Sequence, residues 1–102
     1  MEKFGYVLAT KMLVEKKLPI MFMYRETGHE GDSGWRFFSG FESQEYVDDP
    51  ENIAIYDIET ILNIDESIRP YLSSGYNSAY ERSCADDKFE QMFDFDFGSN
   101  FD

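Results

Sequence analysis

Cysteine is nearly absent from this chain of 102 residues: Cys84 stands alone. A lone thiol excludes an internal disulfide and fits a reducing compartment, so a cytoplasmic protein is expected. Histidine is also single, as His29. Neither a GxxxxGK nor a GxSxG motif occurs, so no phosphate loop and no hydrolase elbow are read. Proline and glycine number 3 and 7, with no repeat and no linker-like stretch. One domain is therefore read over residues 1–84, followed by an acidic–aromatic tail over 85–102. No apolar run approaches the ~20 residues that span a bilayer. The opening MEKFGYVLATK has no long apolar segment behind its charges, so no signal peptide is expected. Basic side chains are scarce, 9 against 21 acidic, for a net charge of −12. Nucleic acids and anionic membranes both require cationic faces, so neither is expected as a partner; a basic protein is.

What is abundant is core material. Hydrophobic residues make up 42% and aromatics 18%, ample for one packed domain of this length. Residues 1–25 are mildly basic, whereas 26–84 and 85–102 hold almost all the acid. The apolar, β-branched start predicts a strand over Tyr6–Thr10, and EKKLP reads as an irregular link. IMFMYRE reads as a strand apolar on both sides, with Ile20, Phe22 and Tyr24 opposed to Met21 and Met23, hence central. The glycine-containing loop after it suits a connection between antiparallel strands. In DSGWRFFSG, a strand points Trp35 and Phe37 one way and Arg36 and Phe38 the other. Gly34 and Gly40 stand where the backbone turns at either end.

Further along, FESQEYVDDPEN reads as an acidic, turn-rich stretch broken at Asp49-Pro50. IAIY is a short strand. Asp57 stands where a helix N-cap belongs, and the spacing predicts a short helix over 58–64. Asp65 is placed to cap a second turn carrying Ile68, and SAYERS supplies a last short strand. The tail alternates Phe93, Phe95 and Phe97 with acid, which suits an added edge strand, a strand laid on another subunit, or an acidic–aromatic disordered segment. The fold class is α+β: a single small domain, a mainly antiparallel sheet of about four to five strands, and one short helix packed on it.

Candidate chemistry is sparse. His29 lacks a second ligand nearby, and Cys84 lacks a local base. The acids Asp48, Asp49 and Glu51 do not have EF-hand spacing, with Pro50 in their midst, so no metal and no cofactor are expected. Arg36, in an otherwise apolar strand, must reach solvent or pair with an acid such as Glu26, Glu42 or Asp57. Trp35 and Phe37 read as core. The strongest interaction surface is the stretch holding Phe41, Glu42, Glu45, Tyr46, Asp48, Asp49 and Glu51, where aromatic anchors stand among charges.

The blocks SGWRFFSG and NIAIYDIETILN, with an Asp-Pro turn between them and SAYER after, resemble the small bacterial domains grouped as immunity protein 33. The resemblance covers about residues 5–83 and leaves the chain from Cys84 onward outside it. It implies a cytoplasmic protein that neutralises a toxin, with no catalytic residues to carry over. The expectation is therefore a non-enzymatic protein that binds a basic toxin domain. The alternative is an oligomerising domain whose tail adds a strand to another copy.

Overall fold

The computed structural model describes residues 5–27 and 31–93. Its strands are β1 (Tyr6–Thr10), β2 (Phe22–Arg25), β3 (Asp32–Phe38), β4 (Ile53–Tyr56), β5 (Ser78–Glu81) and β6 (Glu90–Met92). They form one sheet in the order β4-β1-β3-β2-β5-β6. The β1–β3 pair is parallel and every other neighbouring pair is antiparallel. The α+β class holds, with six strands in place of four to five. The added one is β6, inside the tail for which an added edge strand was one reading; it precedes Phe93, and Phe95 and Phe97 of the alternating stretch lie outside the described residues.

The helices are α1 (Lys11–Lys16), α2 (Gln44–Val47) and α3 (Ile58–Ile64), with 3-10 turns at Pro50–Asn52 and Glu66–Tyr71. The periodic segment after Asp57 forms α3, and the Asp65 carboxylate accepts from the Ser67 N–H at the start of the next turn. β1 has the bounds expected of it, and helix α1 occupies residues 11–14, for which nothing was expected, and the first two residues of the expected irregular link. Thr10 ends β1 and caps α1 in one residue: its Oγ1 accepts from the Leu13 N–H. Lys17, at φ 53°, closes the helix by donating to the Leu13 and Val14 carbonyls. Six residues make too few turns for a helical period to be legible. The same holds for α2, capped by Ser43 accepting from Tyr46 N–H.

Strand alternation divides the sheet into two faces. One carries Val7, Ala9, Met23, Trp35 and Phe37, all buried against Leu13, Ile61, Leu62 and Ile68. Trp35 and Phe37 stack with centroids 5.9 Å apart and planes within 10°. Each large apolar side chain buried in this way contributes about 1.5–3 kcal/mol. The other face carries Leu8, Tyr24 and Arg36 in one row, with Phe22 beside Phe38 in the next. Ile20 departs from the expected alternation. It precedes β2, so strand geometry does not hold it beside Phe22 and Tyr24, and it packs in the core with Met23.

β2 lies between β3 and β5, inside the sheet. The register of β1 against β3 is irregular: β1 advances from Tyr6 to Leu8 while β3 advances from Asp32 to Arg36. Gly34 lies in this irregular stretch at φ +91°, and a Cβ there would stand 2.0 Å from the Glu26 carbonyl oxygen. Only glycine fits so close a backbone crossing at that φ. Alternation already sets Asp32 and Arg36 on one side of the strand, and the irregularity shortens the path between them, so the Asp32 carboxylate lies within 2.8 Å of the Arg36 guanidinium.

Candidate functional site

Arg36 is 8% exposed and projects from the middle of the sheet, where an unpaired guanidinium would be very costly. Its Nε donates to Glu26 at 2.8 Å, its Nη2 to Asp32 at 2.8 Å, and its Nη1 to Asp32 and the Trp35 carbonyl. Burial alone would lower the Arg36 pKa, but the bonds to Asp32 and Glu26 outweigh it and raise it. Burial and then the Glu26 charge push the Tyr24 hydroxyl above its ordinary value, against a smaller pull from Arg36. Leu8, Tyr24, Phe38 and Ile53 form a hollow of about 150 Å³ with Arg36 and Glu26 in its wall. Phe22, Tyr24 and Phe38 pack on one another at 5.5–6.0 Å. Of the acids the sequence offers to Arg36, only Glu26 reaches it. Asp32, four residues away on the same strand, supplies the bidentate contact, which regular strand spacing would not suggest.

Glu42 acts elsewhere. Its carboxylate accepts from Thr10 Oγ1, Ser39 Oγ and the backbone N–H groups of Ser39 and Gly40. Burial alone would raise its pKa, but hydrogen bonds from Thr10 and Ser39 lower it below the ordinary value. Tyr46 is half-buried, and its hydroxyl accepts from the Met12 N–H at 3.0 Å. Two side chains thus fasten the acidic segment to the junction of β1 and α1. Asp49 caps the 3-10 turn by accepting from the Glu51 N–H, and Asp48 accepts from Gln44. Outward stand Phe41, 70% exposed, together with Glu45, Asp48, Asp49 and Glu51, all exposed. Asp57 occupies the N-cap position of α3, where its carbonyl accepts from the Thr60 N–H and its carboxylate accepts none.

A second polar cluster fastens the C-terminal part. Arg82 donates to Asp65 at 2.7 Å, to the Ile20 carbonyl at 2.9 Å and to the Asp87 carbonyl at 3.2 Å, and its guanidinium lies 4.2 Å from the Phe89 ring centre. Asp65 also accepts from the Ile20 N–H. This cluster joins the approach to β2, the start of the second helical turn and the loop before β6.

A family model, the Immunity protein Imm33 domain, matches residues 7–93. The chain belongs to the Imm33 immunity protein family. The match runs past the residues that carried the sequence resemblance and takes in β6 and the loop that Arg82 holds. Comparison with curated proteins and with solved structures gives no match.

In this Imm33 domain the remaining candidates do not converge. Cys84 is exposed in the loop between β5 and β6, and His29 lies outside the described residues. Among the described residues no three His, Cys, Asp or Glu side chains gather as a metal site. No helix among them is long and apolar enough to cross a membrane. The Asp65–Arg82 pair is not legible in the sequence because it spans 17 positions and no local pattern links the two residues. The one available signal was Asp65 standing before a short apolar turn.

Proposed function

We propose that this Imm33 domain is a cytoplasmic immunity protein that neutralises a toxin by binding it, without catalysis. Its capture surface is the outward side of the acidic segment: Phe41 as an aromatic anchor, with Glu45, Asp48, Asp49 and Glu51 around it. The observation that carries this reading is the division of labour within the segment. Glu42 and Tyr46 turn inward and hold it to Thr10 and Met12, so the outward residues stand on a fixed frame. Preorganisation lowers the ordering cost of association. The net charge of −12 favours a basic partner and speeds its capture at low salt. Family membership over residues 7–93 supports the role.

The test is purification of the tagged protein from its host at low and at high salt, with mass spectrometry of what accompanies it, then co-expression with that partner. A basic, toxic protein released by salt, whose toxicity this chain suppresses, is the expected result. A partner whose toxicity is unchanged overturns the reading. A second reading is self-association through the chain end, favoured by Phe93, 88% exposed directly after the edge strand β6. Deletion of residues 90–102 would then lower the solution mass to that of a monomer.

A further inference from the structure

We infer that the outer edge of β4 is a docking site for an extended, basic segment of a partner protein, which adds to the sheet as a seventh strand between Glu51 and Asp57. The inference deepens the binding reading above and rests on it.

β4 ends the sheet, and among the described residues nothing pairs with its outer side. Proteins ordinarily guard such an edge with charge, proline, a bulge or a covering element. Ile53–Tyr56 contains no charge, no proline and no glycine. Its register with β1 runs unbroken from Thr10–Ile53 to Val7–Tyr56. Ile55 is 61% exposed and stands on the same side of the sheet as Leu8. The opposite edge differs: β6 is only three residues long and begins with Glu90.

The charges lie at the two ends of β4. Glu51 precedes it and Asp57 follows it, and both are exposed. Among the described residues neither carboxylate forms a hydrogen bond or ion pair: Glu51 gives its backbone N–H to Asp49, and the Asp57 side chain accepts nothing at the N-cap of α3. Asp48 and Asp49 extend the acid beyond Glu51. Glu59 lies near Arg69 and is not part of the site. At about 3.3 Å per residue, the four residues of β4 present roughly 13 Å of strand edge, with one carboxylate beyond each end.

This arrangement selects its occupant. A second copy pairing antiparallel would set Glu51 of one chain beside Asp57 of the other. Parallel pairing would set like residue beside like residue. Both oppose carboxylate to carboxylate, which disfavours self-pairing. A strand with Lys or Arg at each end and small or β-branched residues between them meets opposite charge at both ends. Its main chain supplies the ladder, and its side chains set the choice of partner.

Two synthetic peptides serve as probes with the full-length protein: Lys-Val-Thr-Val-Thr-Val-Lys and its Glu-ended counterpart. Backbone amide shifts are read by NMR. The Lys-ended peptide is expected to shift the amides of Ile53–Tyr56 and leave those of Glu90–Met92 in place. N-methylation of its ladder-forming amides should weaken binding by about tenfold or more, through the lost main-chain bonds. Joint Glu51→Lys and Asp57→Lys substitution should exchange the preference, so that the Glu-ended peptide binds instead. Unshifted β4 amides, equal binding of the N-methylated peptide, or an unchanged preference in the double variant each overturn the site. The function is separable from it. A toxin suppressed in cells whose complex leaves β4 amide exchange unchanged keeps the immunity role and removes this edge. Peptide binding at β4 without protection in cells does the reverse.

Discussion

The Asp65 carboxylate and the Arg82 guanidinium meet at 2.7 Å with side-chain exposures of 11% and 2%. Breaking such a buried pair from one side leaves an uncompensated charge. Arg82→Met should therefore destabilise the protein by about 3–5 kcal/mol. Removing Asp65 as well should cost less than the sum of the two single changes, because the orphaned charge disappears with it. Urea denaturation of the two single variants and the double variant measures the coupling.

Glu42 makes stability depend on pH. Its folded pKa lies below the ordinary value of 4.5, so between the two values the unfolded chain binds more protons. The contribution is complete above the unfolded pKa and is lost as pH falls through the folded one. Glu42→Gln should cost about 1 kcal/mol or more at neutral pH. The difference should shrink toward zero in acid, which thermal denaturation at stepped pH would follow.

Gly34 cannot accept a side chain. A Cβ would lie 2.0 Å from the Glu26 carbonyl oxygen at φ +91°. Gly34→Ala should destabilise by about 1–3 kcal/mol from the backbone alone, and by more from the clash. Gly75→Ala meets nothing within 4 Å and should change stability far less. Melting temperatures of the two variants give the comparison.

Trp35 is the only tryptophan and is fully buried. Its emission should be blue-shifted in the native state and should move to the red in a single transition on unfolding. Trp35→Ala should cost about 3–5 kcal/mol, and Trp35→Phe distinctly less because the stack on Phe37 is kept. Circular dichroism melts measure both.

The outward acids should act on the rate of association. Joint reversal of Glu45, Asp48 and Asp49 to Lys should slow capture of a basic toxin by about tenfold at low salt. The difference should fade as ionic strength shortens the screening length. Stopped-flow mixing across a salt series reads this. An association rate unaffected by the reversal would remove these three carboxylates from the capture surface.

Strand β3 was legible because its information is local. Alternation alone separates Trp35 and Phe37 from Arg36 and Phe38, and the two faces of the sheet preserve that division. Helix α3 was legible for the same reason, with period and capping position coinciding at Asp57. Helices α1 and α2 were not, because one turn or two holds no period and a threonine or serine cap is common in loops. Within the acidic segment, composition ranks Glu42 equally with Glu45, Asp48 and Asp49. Only three-dimensional placement separates the carboxylate that holds Thr10 and Ser39 from those that face outward.

The sequence by itself determined the class of the molecule: an aromatic-rich α+β domain of strongly acidic charge, carrying the motifs of its family. Those properties follow from composition and from patterns that repeat over two or four residues. Tertiary structure alone decided which acids answer Arg36 and Arg82, which way the acidic segment faces, and that β4 lies at an unguarded edge between Glu51 and Asp57. Each of these depends on strand order and on contacts between residues distant in the chain. A local pattern does not encode them, because many pairings satisfy the same alternation and only the packed sheet selects one.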